Sequence, residues 1–312
     1  MREGGSMMRI GGVTLNVVDR GAGVPVLLLH GFPDSCALWR DVIPALVAGG
    51  CRAIAPDLRG FGDSDAPPRV AAYALDAILG DVIGLLDALG VARVHVVGHD
   101  WGAVVGWFLA ARHPGRVASF VAVSVGHPAA FRRAGLEQKL RSWYVLGFQV
   151  RAFPELTLRA GNFALLRAMT SRHPENERWI ADLSRPGRLS AGLAWYRANF
   201  GRLLTASVPP VRVPVLGVWS PGDIALAEDQ MTGSQRFVEG VFRYERIEDV
   251  SHWIPLDAAG RLASLVLEWV APHARPRPAS PSSADPATAA TASRGPGSAT
   301  AQSSSRRRAA SE

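Results

Sequence analysis

The chain reads as an α/β fold: a mostly parallel sheet flanked by helices, broken once by a long helical insertion. Three observations lead there. Continuous apolar runs such as Pro25-Val26-Leu27-Leu28-Leu29 are the pattern of strands covered on both faces. These runs alternate with helix-length segments, which implies parallel strands joined by crossover helices. Third, the run Val94-His95-Val96-Val97 ends in Gly98-His99-Asp100-Trp101-Gly102, after which Val104, Val105, Phe108 and Ala111 have helical spacing. Strand, sharp turn and helix place one reactive side chain, Asp100, at the apex. Small flanking residues such as Gly98 and Gly102 let strand and helix approach it closely.

The elements follow in order. Val13 to Asp19 alternates enough for an edge strand, and Gly21-Ala22-Gly23 is a turn. The Pro25–Leu29 strand ends in His30-Gly31-Phe32-Pro33, and a helix is expected from about Leu38 to Ala48. Arg52 to Ala55 is the next strand, opening into the polar, glycine-rich loop Leu58 to Asp65. Leu75, Ile78, Leu79, Val82, Ile83, Leu86 and Leu89 mark a long amphipathic helix closed by Gly90. The apex strand and helix come next, then a strand from Val117 to Val125.

From about Pro128 to Val208 the alternation stops, and the chain is helical and aromatic. This is read as a lid over the carboxyl edge of the sheet. Val213 to Trp219 resumes the sheet, Phe242 to Ile247 adds a strand, and Leu262, Leu265, Val266 and Trp269 mark a last helix. The expected organisation is a core at 1–127 and 209–271, a lid at 128–208, and a tail at 272–312. Rich in Ala, Ser, Pro and Thr, that tail is expected to be disordered.

Bulk composition excludes several classes. The 312 residues are 48% hydrophobic, enough for an enzyme-sized core. A net charge of +7 might suggest nucleic acid, but six arginines against Asp285 and Glu312 put +4 of it beyond Pro272. About +3 in the body is no signal for a polyanion. Cys36 and Cys51 give no disulfide framework. Neither a signal peptide nor a run of membrane-spanning length is present. A cytoplasmic monomer or homodimer is expected, with no nucleic-acid or membrane partner.

Chemistry converges on three residues in the order nucleophile, acid, histidine. Asp100 sits at the elbow, Asp223 follows the Val213–Trp219 strand, and His252 follows the strand ending near Ile247. Open α/β sheets place their sites past the carboxyl ends of such strands. Singly, each has a plain structural reading, as turn carboxylate, helix cap or surface imidazole; together, each past its own strand, they read as a site. Asp229 and Asp249 do not directly follow a strand and are weaker candidates for the acid.

An aspartate at the apex changes the reaction. A carboxylate is already ionised at neutral pH, suits displacement at saturated carbon, and so yields an alkyl-enzyme ester. Water activated by His252, oriented by Asp223, would then open that ester. The tetrahedral oxyanion needs backbone donors, and the N–H groups of Phe32 and Trp101 are the candidates.

From about Met8 to Ala271 the chain resembles the epoxide hydrolases of the α/β-hydrolase family. His30-Gly31-Phe32-Pro33 matches their HGxP motif, Asp57-Leu58-Arg59-Gly60-Phe61-Gly62-Asp63-Ser64 their DxRGxGxS loop, and Gly98 to Gly102 their nucleophile motif. Asp223 and His252 fall where their acid and histidine fall. The resemblance implies an eight-stranded sheet, a cis peptide before Pro33, the Phe32 N–H in the oxyanion hole, and no metal or organic cofactor. It also implies that Tyr144 and Tyr196, at the two lid motifs, donate protons to the epoxide oxygen, since an alkoxide leaves poorly without one. The expected reaction is conversion of a small apolar epoxide and water to a vicinal diol.

Haloalkane dehalogenases are also similar and share the triad, but a leaving halide needs N–H donors instead. Trp101 could be one, with Trp143 or Trp195 as the second. Fluoroacetate dehalogenases carry arginine where this chain has Trp101, and an esterase needs serine at the apex; Ser124 reads as a strand or loop residue. A protein on this scaffold that only binds ligand would be expected to have lost a triad member, and none is lost.

Overall fold

A computed structural model of the protein describes residues 5–205 and 207–273. Eight strands form one sheet: β1 (Ser6–Ile10), β2 (Val13–Arg20), β3 (Val24–Leu29), β4 (Cys51–Pro56), β5 (Val94–His99), β6 (Val117–Val123), β7 (Val215–Trp219) and β8 (Phe242–Arg246). Their order is β1-β2-β4-β3-β5-β6-β7-β8. The β1/β2 and β2/β4 pairs are antiparallel, and the remaining pairs are parallel.

Twelve helices are found among the described residues. On the sheet side of the chain lie α1 (Ile43–Ala48), α2 (Leu75–Ala88) and α3 (Trp101–Arg112). Between β6 and β7 run α4 (Pro128–Arg133), α5 (Leu136–Arg141), α6 (Trp143–Gly147), α7 (Phe153–Met169), α8 (Asn176–Ser184) and α9 (Arg188–Thr205). After β7 come α10 (Glu228–Thr232), α11 (Ile254–Asp257) and α12 (Ala259–His273). Helix α7 is interrupted at Ala160–Phe163, where Gly161, Asn162 and Phe163 take positive φ.

Period-two side-chain alternation divides the interior. Leu27 and Leu29 of β3 join a cluster with Ile78 and Val82 of α2 and Val105 and Phe108 of α3. Val26 and Leu28 point the other way, to Ile43 and Leu46 of α1 and Leu262, Leu265 and Val266 of α12. A strand buried on both faces has no polar side, which is why β3 reads as an unbroken apolar run; the polar His95 of β5 and Ser119 of β6 are buried against each other at 2.8 Å.

Three local expectations are corrected. Val13–Arg20 is not the edge of the sheet, because β1 pairs outside it from Ser6 to Ile10. Residues 38–48 do not form one helix. A 3-10 turn spans Cys36–Trp39, and α1 starts only at Ile43, where Pro44 occupies an early position that needs no N–H donor. Helix α12 also runs through Pro272 to His273; the rest of the proposed tail lies outside the described residues. No helix among the described residues is long and apolar enough to cross a membrane.

Buried polar contacts join the inserted helices to the sheet. Asn199 of α9 accepts the Leu75 N–H at the start of α2 (2.8 Å) and donates to the Tyr73 carbonyl (2.9 Å). Asp34, past β3, accepts both guanidinium nitrogens of Arg178 at 2.7 and 2.8 Å and the Trp179 indole N–H at 2.8 Å.

Candidate active site

Asp100 stands between β5 and α3 at φ 53° and ψ −121°. This backbone is costly for a non-glycine residue and is held only where the surroundings enforce it. Close packing enforces it here. A Cβ on Gly102 would strike the Leu29 carbonyl, and one on Gly31 would strike the Asp100 carboxylate.

The Phe32 N–H donates to Asp100 Oδ1 at 2.7 Å, and the Trp101 N–H also bonds the carboxylate. Phe32–Pro33 is cis. His30 shapes the same loop: its Nε2 accepts the Leu58 N–H at 2.9 Å, and Nδ1 lies 3.0 Å from the Gly31 carbonyl. The glycine-rich loop is structural, with Arg59 forked onto Asp81 at 2.5 Å and Asp57 accepting the N–H groups of Cys36 and Asp63.

His252 follows β8, and its Nδ1 is 2.7 Å from Asp223 Oδ2. The other oxygen of Asp223 accepts the N–H groups of Ala225 (2.9 Å) and Leu226 (2.8 Å). His252 Nε2 lies 4.0 Å from Asp100 Oδ2. Burial raises the Asp100 carboxyl above the ordinary aspartate range, partly offset by His252 and the two backbone donors. Burial opposes charge on His252, but the Asp223 carboxylate, its hydrogen bond and Asp100 outweigh it and raise the imidazole. Asp229 and Asp249 do not occupy the acid position; Asp229 accepts the Gly135 N–H at 2.7 Å.

Tyr196 of α9 and Tyr144 of α6 face the same space, with ring centroids 6.2 Å apart. Tyr196 packs edge-on against Trp101 at 5.0 Å and Phe32 at 5.8 Å. Burial, then the charge of Asp100, pushes both phenols above the ordinary tyrosine value, so both keep their protons. A cavity of about 330 Å³ touches Asp100, His252, Tyr144, Tyr196, Phe32 and Trp253. Four of the five side chains expected to carry chemistry thus line one space, and the fifth, Asp223, stands behind it on His252 Nδ1.

Several supporting contacts are not evident in the sequence. The His252 carbonyl receives Ser124 Oγ–H at 3.1 Å and lies 2.9 Å from His99 Nε2. Burial, then His252, lowers His99 to about 3, so the ring is neutral and Nε2 carries the donated proton. From α5, Gln138 donates to the Ala225 carbonyl at 3.0 Å and accepts the Ala227 N–H at 2.8 Å. Arg141 donates to the carbonyls of Asp223 and Leu226. The loop carrying the acid is therefore held by an inserted helix. The motif around His99 marked its neighbourhood; nothing local marks Gln138.

The sequence pattern of the α/β hydrolase fold matches residues 24–259. The chain is 32% identical over 261 residues to epoxide hydrolase 3 of Xenopus tropicalis, covering 78% of this chain and 71% of that one. It is 31% identical over 309 residues to epoxide hydrolase A of Mycobacterium tuberculosis, covering 83% and 94%. An epoxide hydrolase from Vigna radiata, solved by crystallography, matches with a TM-score of 0.75 at 27% identity, over 86% of this chain and 98% of that one. The chain belongs to the α/β hydrolase family. Within that family, the relatives named here are epoxide hydrolases.

Proposed function

We propose that this chain is an epoxide hydrolase acting through an alkyl-enzyme ester on Asp100, beneath a lid formed by the helices between β6 and β7. Its substrate is a small apolar epoxide, and the chain works in the cytoplasm. Oδ1 of Asp100 rests on the Phe32 N–H, which leaves Oδ2 to attack an epoxide carbon. The C–O bond breaks as the C–Oδ2 bond forms, and the epoxide oxygen takes a proton from Tyr144 or Tyr196. Raised phenol acidity constants keep that proton in place at neutral pH, and an alkoxide is basic enough to take it.

In the second half-reaction His252 Nε2 removes a proton from water, whose oxygen attacks the ester carbon. Oδ1, already held by the Phe32 N–H, becomes the oxyanion, with the Trp101 N–H as the second donor beside it. Collapse breaks the bond from the carboxyl carbon to Oδ2, and the departing oxygen takes the proton of the newly added hydroxyl to complete the diol. The carboxylate is restored, and the proton on His252 restores the phenol. Asp223 stabilises the imidazolium between these steps.

The observation that carries this reading over halide release is the pair of phenols above the carboxylate. Two of the three indoles that could serve a halide have other partners: Trp195 donates to the Arg59 carbonyl at 3.0 Å, and the Trp101 side chain bonds Tyr196. Parallel turnover of a styrene-oxide-type epoxide and a bromoalkane tests it. Diol formation without bromide release is expected; bromide release without diol formation overturns it.

A further inference from the structure

Part of the outward surface of the inserted helices is rich in large apolar side chains. Of the large hydrophobic side chains exposed among the described residues, most lie between Leu136 and Leu165. The pattern along α5 and α6 is that of an inverted amphipathic helix. Gln138 and Phe148 face inward at 1% and 4% exposure, whereas Leu136, Leu140, Trp143, Leu146 and Val150, at steps of three and four residues, are each more than half exposed. Trp143 also lines the catalytic cavity, so this apolar stripe continues into its mouth.

Unpaired charge along the stripe has one sign. Glu137 is paired with Arg141 and Glu155 with Arg197, both at 2.6 Å. Lys139, Arg151 and Arg159 are exposed and pair with no acid among the described residues. Leucine and tryptophan beside unpaired lysine and arginine is the composition of a helix lying in a membrane interface, where anionic headgroups offset the cations. A second copy of the chain fits less well. A two-fold contact would bring each cation near its own counterpart with no free acid to separate them.

We propose that the Leu136–Val150 face docks on an anionic lipid surface, with the cavity mouth beside Trp143 turned toward the bilayer. If the site hydrolyses epoxides, as read above, a lipophilic epoxide dissolved in the membrane enters without crossing water. That no described helix is long and apolar enough to cross a membrane does not bear on this, because α5 and α6 would lie along the surface.

The test is co-sedimentation of the full chain with vesicles of phosphatidylcholine alone or mixed with phosphatidylglycerol. Binding to the anionic vesicles only, reversed by salt, is expected. Leu140→Glu/Leu146→Glu and Lys139→Glu/Arg151→Glu should each weaken it about tenfold or more, while turnover of a water-soluble epoxide without vesicles stays unchanged. Failure of the wild type to sediment overturns the proposal. So does undiminished binding by both variants, which would move the contact to the C-terminal arginines. If sedimentation velocity instead shows a dimer that Leu140→Glu/Leu146→Glu dissociates, with no vesicle binding, the face belongs to a second copy and the proposal falls. Vesicle binding by a chain that hydrolyses no epoxide would leave docking standing and remove only the reading of the site.

Discussion

The two oxygens of Asp100 have different surroundings: Oδ1 is 2.7 Å from the Phe32 N–H, and Oδ2 is 4.0 Å from His252 Nε2. The first distance is a hydrogen bond and the second is beyond one. In the proposed ester-opening step the water that gives its proton to Nε2 must reach the Asp100 carboxyl carbon between the two oxygens. On the proposed mechanism Oδ2 is the attacking oxygen, and Oδ1, held by the Phe32 N–H, is the later oxyanion.

Removing the phenol protons should stop the first step and spare the second. General acids contribute roughly 100- to 10,000-fold. Tyr144→Phe or Tyr196→Phe should therefore slow single-turnover alkylation by about 100-fold, and the double variant should fall to background. Rapid-quench measurement of ester formation checks this. Alkylation at the wild-type rate in the double variant would remove both tyrosines from the mechanism.

Esterification should alter the acidity of His252. In the free enzyme the charge of Asp100 is among the causes that raise the imidazole. Alkylation neutralises that carboxylate, so the proton is held less tightly in the intermediate. The base must be neutral, so ester hydrolysis should be lost as pH falls through a midpoint below that of His252 in the resting enzyme. Stopped-flow hydrolysis against pH, compared with NMR titration of the free His252 ring, measures the two midpoints. Equal midpoints, or the reverse order, contradict the charge coupling.

Gln138 is almost fully buried, and it satisfies two backbone groups in the loop that carries Asp223. Gln138→Leu strands the Ala225 carbonyl and the Ala227 N–H, at about 1–3 kcal/mol for a buried unsatisfied group. Urea denaturation should show that loss. Ester hydrolysis should slow more than alkylation, because Asp223 acts only through His252. Equal slowing of both steps would indicate a general packing effect instead.

Much of the fold and of the candidate site was legible because the signals are local. Asp100, Asp223 and His252 each end a strand-to-loop transition, and the unbroken run at β3 reports burial on both faces. Tyr144 and Tyr196 were reached through their motifs, not through periodicity, which cannot separate them from Trp143 and Trp195. Strand β1 was missed because its first residues are mostly exposed and offer no alternation; it exists by pairing with β2. Gln138 and Arg141 were missed for a different reason: their partners lie 87 and 82 residues away. A helix bearing a glutamine and an arginine reads as solvated until the chain is folded. The inverted face of α5 and α6 was hidden in the same way, since spacing shows that a helix has an apolar side but not which way it points.

Mass spectrometry of His252→Gln during turnover of a styrene-oxide-type epoxide bears most directly on the role of Asp100. The expected result is a mass increase equal to one substrate molecule, found on the peptide that contains Asp100 and absent from Asp100→Asn. An unmodified protein at saturating epoxide, or an adduct on any other residue, would contradict covalent catalysis by this aspartate.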